Sequence, residues 1–194
     1  MASSATPYGL RPSKMIGSGY QTSGLNRYKI ASGYNTNIFT GDVVKLVAAG
    51  TIEKDTGTTT ATPIGVFMGV EYEPSTDEGL LHRQYWPADQ TLKAGTQAWA
   101  YVVDDPDMLF EIQADESVAQ AGIGANAPLV QGAGSTATGL SGVSLDGGSI
   151  ATTATLPLRI VDYVDKVGFS EIGDAYTDLI VKFVTHQHRT ALGI

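Results

Sequence analysis

The chain has 194 residues, 42% of them hydrophobic and 16% charged, with 12 Lys+Arg against 20 Asp+Glu for a net charge of −8. This is enough apolar material for the core of one ordinary domain, which excludes wholesale disorder, and the acidic balance disfavours direct binding to a phosphate backbone. Cysteine is absent, which excludes disulfide staples and thiolate metal sites, and no window approaches the roughly 20 apolar residues of a membrane-spanning helix.

The N-terminus has no basic stretch leading into an apolar one, so no secretory signal is expected. Residues 1–29 are predicted to form an extended arm. Pro7 and Pro12 bias their predecessors to extended backbone, Gly17, Gly19 and Gly24 rule out a helix, and no core-strand alternation is present. The arm carries Tyr8, Leu10, Arg11, Lys14 and Tyr20, a mixture suited to lying across a surface. That surface is either another molecule or the chain's own body. On the first alternative, deleting residues 1–20 leaves a folded protein.

Residues 30–194 are predicted to form a β-rich domain. Tyr28–Ala31 and Ile38–Phe39 are short extended runs, and Gly41–Asp42 opens a turn into the β-branched run Val43–Val47. Thr51–Glu53 and Ile64–Tyr72 follow after Gly- and Pro-rich breaks, so Gly41–Tyr72 is expected to be a β-meander. Leu80–Trp86 fits a strand better than a helical turn because of Tyr85 and Trp86. Ala98–Val103 and Met108–Gln113 are strands on either side of the Asp104–Asp105–Pro106 stop, and Asp115–Ser117 caps a short helix through Ala121. The Gly-, Ser-, Thr- and Ala-rich stretch 131–155 is a long surface loop, and Leu156–Val164 and Asp178–Val184 are the last strands. The fold class is therefore all-β, a small β-barrel or tulip-like β-sandwich with an extended N-terminal arm and a long Gly/Ser/Thr-rich loop.

Little in the sequence carries catalytic chemistry. His186 and His188, two apart, would share one strand face and could begin a zinc site, but no third ligand is fixed. Asp104, Asp105 and Asp107 could offer oxygens to calcium, although their spacing is that of an ordinary Asp-Pro turn. Gly132–Thr136 lacks the lysine of a phosphate loop, and the serine of Gly139–Val143 is one position away from a nucleophile elbow. No catalytic residue, metal or cofactor is implied. The remaining distinctive feature is aromatic residues in polar company. Trp99 fits an ordinary strand residue with one face in the core, whereas Tyr85 and Trp86 beside Arg83 form a second candidate contact patch.

Several stretches together resemble a group of capsid decoration (cement) proteins of tailed bacteriophages, of the marine and cyanobacterial phage type. They are Tyr8–Pro12, Tyr34–Leu46, Pro63–Phe67, Gln84–Ala88, Tyr101–Pro106, Phe110–Ala114, Thr138–Asp146 and Leu158–Val161. The resemblance implies a non-enzymatic virion protein on the outer capsid surface, made in the host cytoplasm. Its partners would be the major capsid protein and further copies of itself, frequently as a homotrimer, with neither nucleic acid nor membrane. It would stabilise contacts between neighbouring shell subunits through Tyr8, Leu10, Arg11, Lys14 and Tyr20 of the arm and through Arg83, Tyr85 and Trp86. A head fibre or tail adaptor is the alternative within the virion, and a small glycan-binding or glycan-cleaving domain the alternative outside it.

Overall fold

The computed structural model describes residues 4–17, 24–76, 79–165 and 170–190. The described chain is all-β, with two short 3-10 turns, at Gln120–Gly122 and Gln187–Arg189. Its strands are β1 (Arg11–Met15), β2 (Asn26–Ile30), β3 (Ile38–Phe39), β4 (Val43–Leu46), β5 (Ile52–Lys54), β6 (Gly65–Tyr72), β7 (Leu81–Arg83) and β8 (Tyr85–Trp86). They continue as β9 (Ala98–Val103), β10 (Met108–Gln113), β11 (Asn126–Ala127), β12 (Leu129–Val130), β13 (Ser144–Leu145), β14 (Leu158–Tyr163) and β15 (Asp178–Phe183).

Two larger antiparallel sheets organise the molecule. The N-terminal sheet runs β2-β9-β6-β4-β5, with β7 on the far half of β6, and the C-terminal sheet runs β1-β10-β15-β14-β11. The pairs β3-β8 and β12-β13 complete the strands. The run Gly41–Tyr72 is not a simple meander, because β4 lies between β5 and β6 and pairs with both. The long polar break 55–63 lets the chain pass back across β4 before β6 begins. The N-terminal sheet curls until a single parallel bridge, Lys29 to Thr51, joins its edge strands. One bridge is a seam rather than a ladder, so the sheet does not close into a barrel and the arrangement is sandwich-like.

Period-two alternation explains how the layers pack. In β10 and β15, Met108, Phe110, Ile112, Leu179, Val181 and Phe183 enter one core, with Phe110 opposite Val181 and Ile112 opposite Leu179. The N-terminal sheet is a wall between two cores. Neighbours Val43 and Val44, Val66 and Phe67, and Val103 and Val102 point to opposite sides. The first of each pair meets the C-terminal sheet. The second lines a separate core with Ile30, Ile52, Tyr72 and Trp86.

One open alternative is favoured and two expectations need correction. The segment 4–16 lies along its own domain, the second of the two surfaces open to the arm: β1 pairs with β10, Arg11 opposite Glu111 and Met15 opposite Met108, and Leu10 is wholly buried. The short β1 forms ladder bonds that only a neighbouring strand reveals, and a lone Leu10 carries no periodicity. Gly9 and Gly41 make the crossing possible, since both have positive φ (75° and 94°) and a Cβ on Gly9 would sit 2.5 Å from the Gly41 carbonyl oxygen. Leu10 N–H donates to that same oxygen at 2.9 Å. The predicted helix after Asp115 shrinks to the 3-10 turn, because Asp115 Oδ1 accepts the Gly147 N–H instead of capping a following turn. Finally, 131–155 is not a superficial loop: Ser141 to Leu145 are buried and β13 pairs with β12. Small residues here allow backbone to pack into the core, which composition alone presents as a flexible linker.

Candidate functional site

The residues predicted for surface contact divide when placed. Tyr8 is partly buried; its hydroxyl donates to Asp178 Oδ1 at 3.1 Å and the Arg11 guanidinium lies 3.9 Å from its ring centre. Burial, followed by the Asp178 charge, raises the Tyr8 phenol above its ordinary ionisation range. Arg11 and Lys14 are exposed on β1, a sheet edge that such charges protect from unwanted pairing. Leu10 and Trp86 are core residues at 0% exposure, so neither offers surface to a partner. Trp86 packs edge-on against Tyr72 at 5.3 Å and its indole N–H donates to the Tyr34 carbonyl. Its Tyr-Trp sequence beside Arg83 concealed that alternation on β8 turns the two rings to opposite sides. Tyr85 is partly exposed and stacks on Phe39 at 5.5 Å, and Arg83 is exposed. Tyr20 lies outside the described residues.

The histidine pair is not a shared strand face. β15 ends at Phe183, His186 caps the 3-10 turn and His188 lies within it, and the His188 N–H donates to His186 Nδ1 at 3.1 Å. His186 is buried and its Nε2 has no hydrogen-bond partner among the described residues. Burial is the main cause that lowers its pKa to about 4, with the His188 charge next. His188 faces a cleft of about 360 Å³ between the sheets, together with Asn26, Asp104 and Met108. The Asp104 carboxylate there is already occupied, taking Asn26 Nδ2 at 2.8 and 3.0 Å and the Tyr28 hydroxyl at 2.6 Å, with His188 Nε2 at 3.4 Å. Asp105 accepts the Asp107 N–H, and Asp107 pairs with Arg189. The Asp104–Asp107 acids thus fasten β2 and the C-terminal turn to the loop after β9. Among the described residues no group of three or more His, Asp and Glu side chains is arranged to hold a metal ion.

The surface that stands out lies elsewhere, on the outer side of the N-terminal sheet. Register puts Lys29 opposite Trp99 and Arg27 opposite Tyr101 across β2 and β9, and β6 places Glu71 beside Trp99. The side chains continue the pattern. The Arg27 guanidinium lies 4.8 Å from the Trp99 ring centre and 6.0 Å from that of Tyr101, and the Lys29 ammonium lies 5.4 Å from Trp99. Glu71 ties the group together: it pairs with Arg27, accepts the Tyr101 hydroxyl at 2.7 Å, and has His82 Nδ1 at 3.8 Å. Exposed Arg27, Lys29 and His82 therefore sit with partly exposed Trp99 and Tyr101 in one preset array.

Cation–aromatic arrays of this kind are characteristic of contact surfaces, because they supply rigid area at low entropic cost. The sequence signal was present but misassigned. Ala98-Trp99-Ala100-Tyr101 alternates small and large, and the small residues, not the aromatics, enter the core.

The charge distribution gives this face a direction. Residues 24–103, which supply the strands of the N-terminal sheet, hold six basic and eight acidic side chains, whereas residues 1–23 and 104–194, which supply those of the C-terminal sheet, hold six and twelve. Most of the net charge therefore belongs to the C-terminal sheet, and the cation–aromatic array to the other. No helix among the described residues is long and apolar enough to cross a membrane. No protein-family model, curated protein or solved structure matches the chain.

Proposed function

We propose that the protein is a non-enzymatic capsid decoration protein, which binds the outer surface of a tailed-phage head and bridges neighbouring major capsid protein subunits. The observation that carries this reading is the preset Arg27–Lys29–Trp99–Tyr101 face, held by Glu71 on a rigid sheet. The sequence resemblance spread over most of the chain supplies the partner, and the sandwich-like body supplies stiffness.

The charge partition supports an orientation in which the less acidic N-terminal sheet meets the shell and the more acidic C-terminal sheet points to solvent. An acidic outer side keeps decorated particles from adhering to one another. Several copies joined in a closed ring, such as a trimer, would engage the shell at several equivalent points, so individually weak contacts act together.

Co-sedimentation with expanded heads tests the proposal. Wild-type protein should pellet with the heads in high copy number, and Trp99→Ser should stay largely in the supernatant while keeping its circular dichroism spectrum. Wild-type binding by Trp99→Ser would move the contact to another face. Absence of the protein from mature particles would overturn the function itself, and a low copy number would favour a tail adaptor.

A further inference from the structure

A second site lies on another part of the surface and has a different chemistry. The corner between β7 and β8 faces the turn 136–139 across an open cleft of about 170 Å³, and Arg83, Gln84, Tyr85, Thr136 and Thr138 line it. Both walls are fixed to one residue. Thr40 donates its hydroxyl to the Gln84 carbonyl at 2.6 Å and its N–H to the Gly139 carbonyl at 3.0 Å. Tyr85 is held from its other side by the stack on Phe39, itself buried. The cleft is therefore preformed and not an accident of side-chain rotation.

Its electrostatics depart from those of the molecule. In a protein of net charge −8, the lining contains one cation and no acid. Arg27 and Arg189 pair with carboxylates, Arg11 lies over the Tyr8 ring and Arg159 donates to Asn126 Oδ1, whereas Arg83 has no such partner among the described residues. A planar guanidinium left open matches a carboxylate through two parallel hydrogen bonds. Around it are two threonine hydroxyls, the Gln84 amide and the Tyr85 phenol, all able to donate and accept. One cation with neutral hydroxyl and amide neighbours fits a singly charged carboxylate better than a phosphate, which recruits several cations or backbone N–H groups. A partly exposed aromatic ring beside hydroxyls, in a space of about one hexopyranose, suits the C–H face and hydroxyls of a sugar.

We propose that this cleft binds a carboxylated sugar residue, a uronic or sialic acid unit of an acidic polysaccharide. Arg83 holds the carboxylate, Tyr85 supports the ring, and Thr136 and Thr138 meet the ring hydroxyls. The site is independent of the capsid-contact face, so its test does not depend on that reading.

The test is a ¹⁵N-resolved NMR titration of the purified protein with methyl β-D-glucuronide and N-acetylneuraminic acid, using methyl β-D-glucoside and N-acetylaspartate as controls. At least one sugar acid should shift the amides of residues 83–85 and 136–139 saturably, and the neutral glucoside should bind at least about tenfold more weakly. Arg83→Met, at an exposed position, should keep the remaining spectrum and lose sugar-acid binding, while Arg83→Lys should retain part of it. The proposal is overturned if neither sugar acid moves those amides at its solubility limit, if glucoside binds as well as glucuronide, or if Arg83→Met binds as wild type does. Equal binding of N-acetylaspartate would also overturn it, since Arg83 would then recognise any carboxylate, including an acidic side chain of a protein partner.

Discussion

Two arginine–aromatic pairs in this molecule look alike and do different work. Arg11 lies over Tyr8 at 3.9 Å, and Arg27 lies over Trp99 at 4.8 Å. Around the first, everything leads inward: the Tyr8 hydroxyl is bonded to Asp178, Leu10 is buried next to it, and β1 completes the C-terminal sheet. Around the second, the side chains stay at the surface: Glu71 orients the cation, and Trp99 and Tyr101 remain partly exposed beside Arg27 and Lys29. Composition alone cannot tell a seam from a contact surface. What separates them is whether the residues between the aromatic and the cation are committed to the core.

The most severe way to break the comparison is to remove the inward pair altogether. Deleting residues 1–16 takes away an edge strand and the Leu10 core contact, so the truncated chain should lack the cooperative unfolding transition of the full protein. This reverses the expectation, tied to an arm lying on another molecule, that deleting residues 1–20 leaves a folded protein. Leu10→Ala, a milder form, should cost about 2–5 kcal/mol in urea unfolding. A cost below about 1 kcal/mol would mean that the strand is dispensable.

The crossing beneath that strand should be nearly as sensitive. Asp42 is fully buried, and its carboxylate takes Lys54 Nζ at 3.0 Å, the Phe39 N–H at 2.8 Å and the Ser141 hydroxyl at 2.6 Å. Lys54→Met leaves that charge with two neutral donors and should destabilise by about 3 kcal/mol or more. Asp42→Asn combined with Lys54→Met should recover part of the loss, and a double variant no more stable than Lys54→Met would show that the pair's charge is not the cause.

How much of this was legible beforehand depends on the range of the interactions. Strands β9 and β10 follow from their own residues, since Ala98–Val103 and Met108–Gln113 alternate and end at Asp-Pro and polar breaks. The all-β class follows from many such runs. The place of β1 does not, because its partners are Met108 to Glu111, about a hundred residues away, and its own side chains are mixed. The buried stretch 141–145 was hidden for the same reason: Ser141 earns its place through Asp42, not through its neighbours in sequence. For the proposed contact face, Arg27 and Trp99 were each visible, but their alignment requires the β2–β9 register and the inward turn of Ala98 and Ala100.

Acid should act on the support of the outward pair. Asp104 holds Asn26 and Tyr28, the residues on either side of Arg27, and its neighbour His188 is bonded through its N–H to His186. Native His186 stays neutral down to about pH 4, whereas the unfolded chain takes up that proton near pH 6.5. The unfolded state therefore binds more protons between those values. Stability should be level above about pH 6.5 with respect to this group, fall as the pH drops toward 4, and lose up to about 3 kcal/mol in all. Urea midpoints measured across that range test it, with His186→Gln expected to flatten the slope. An unchanged slope in the variant would assign the acid sensitivity to the carboxylates.

The smallest expected effect on stability separates the two pairs most sharply. Arg11→Gln and Arg27→Gln each remove a partly exposed cation from an aromatic ring, and each should cost less than about 1 kcal/mol in unfolding. Their consequences for binding should nevertheless diverge. With Arg11 replaced, Tyr8 keeps its bond to Asp178 and the seam persists, so capsid co-sedimentation should be unchanged. With Arg27 replaced, Glu71 loses its cation and the Trp99 face loses both charge and order, so binding should weaken severalfold at low salt and less at high salt. Equal losses for the two variants would mean that both pairs touch the shell, with β1 serving as strand and as contact at once. Loss with Arg11→Gln alone would exchange the roles of the two pairs and place the anchor on the edge of the C-terminal sheet.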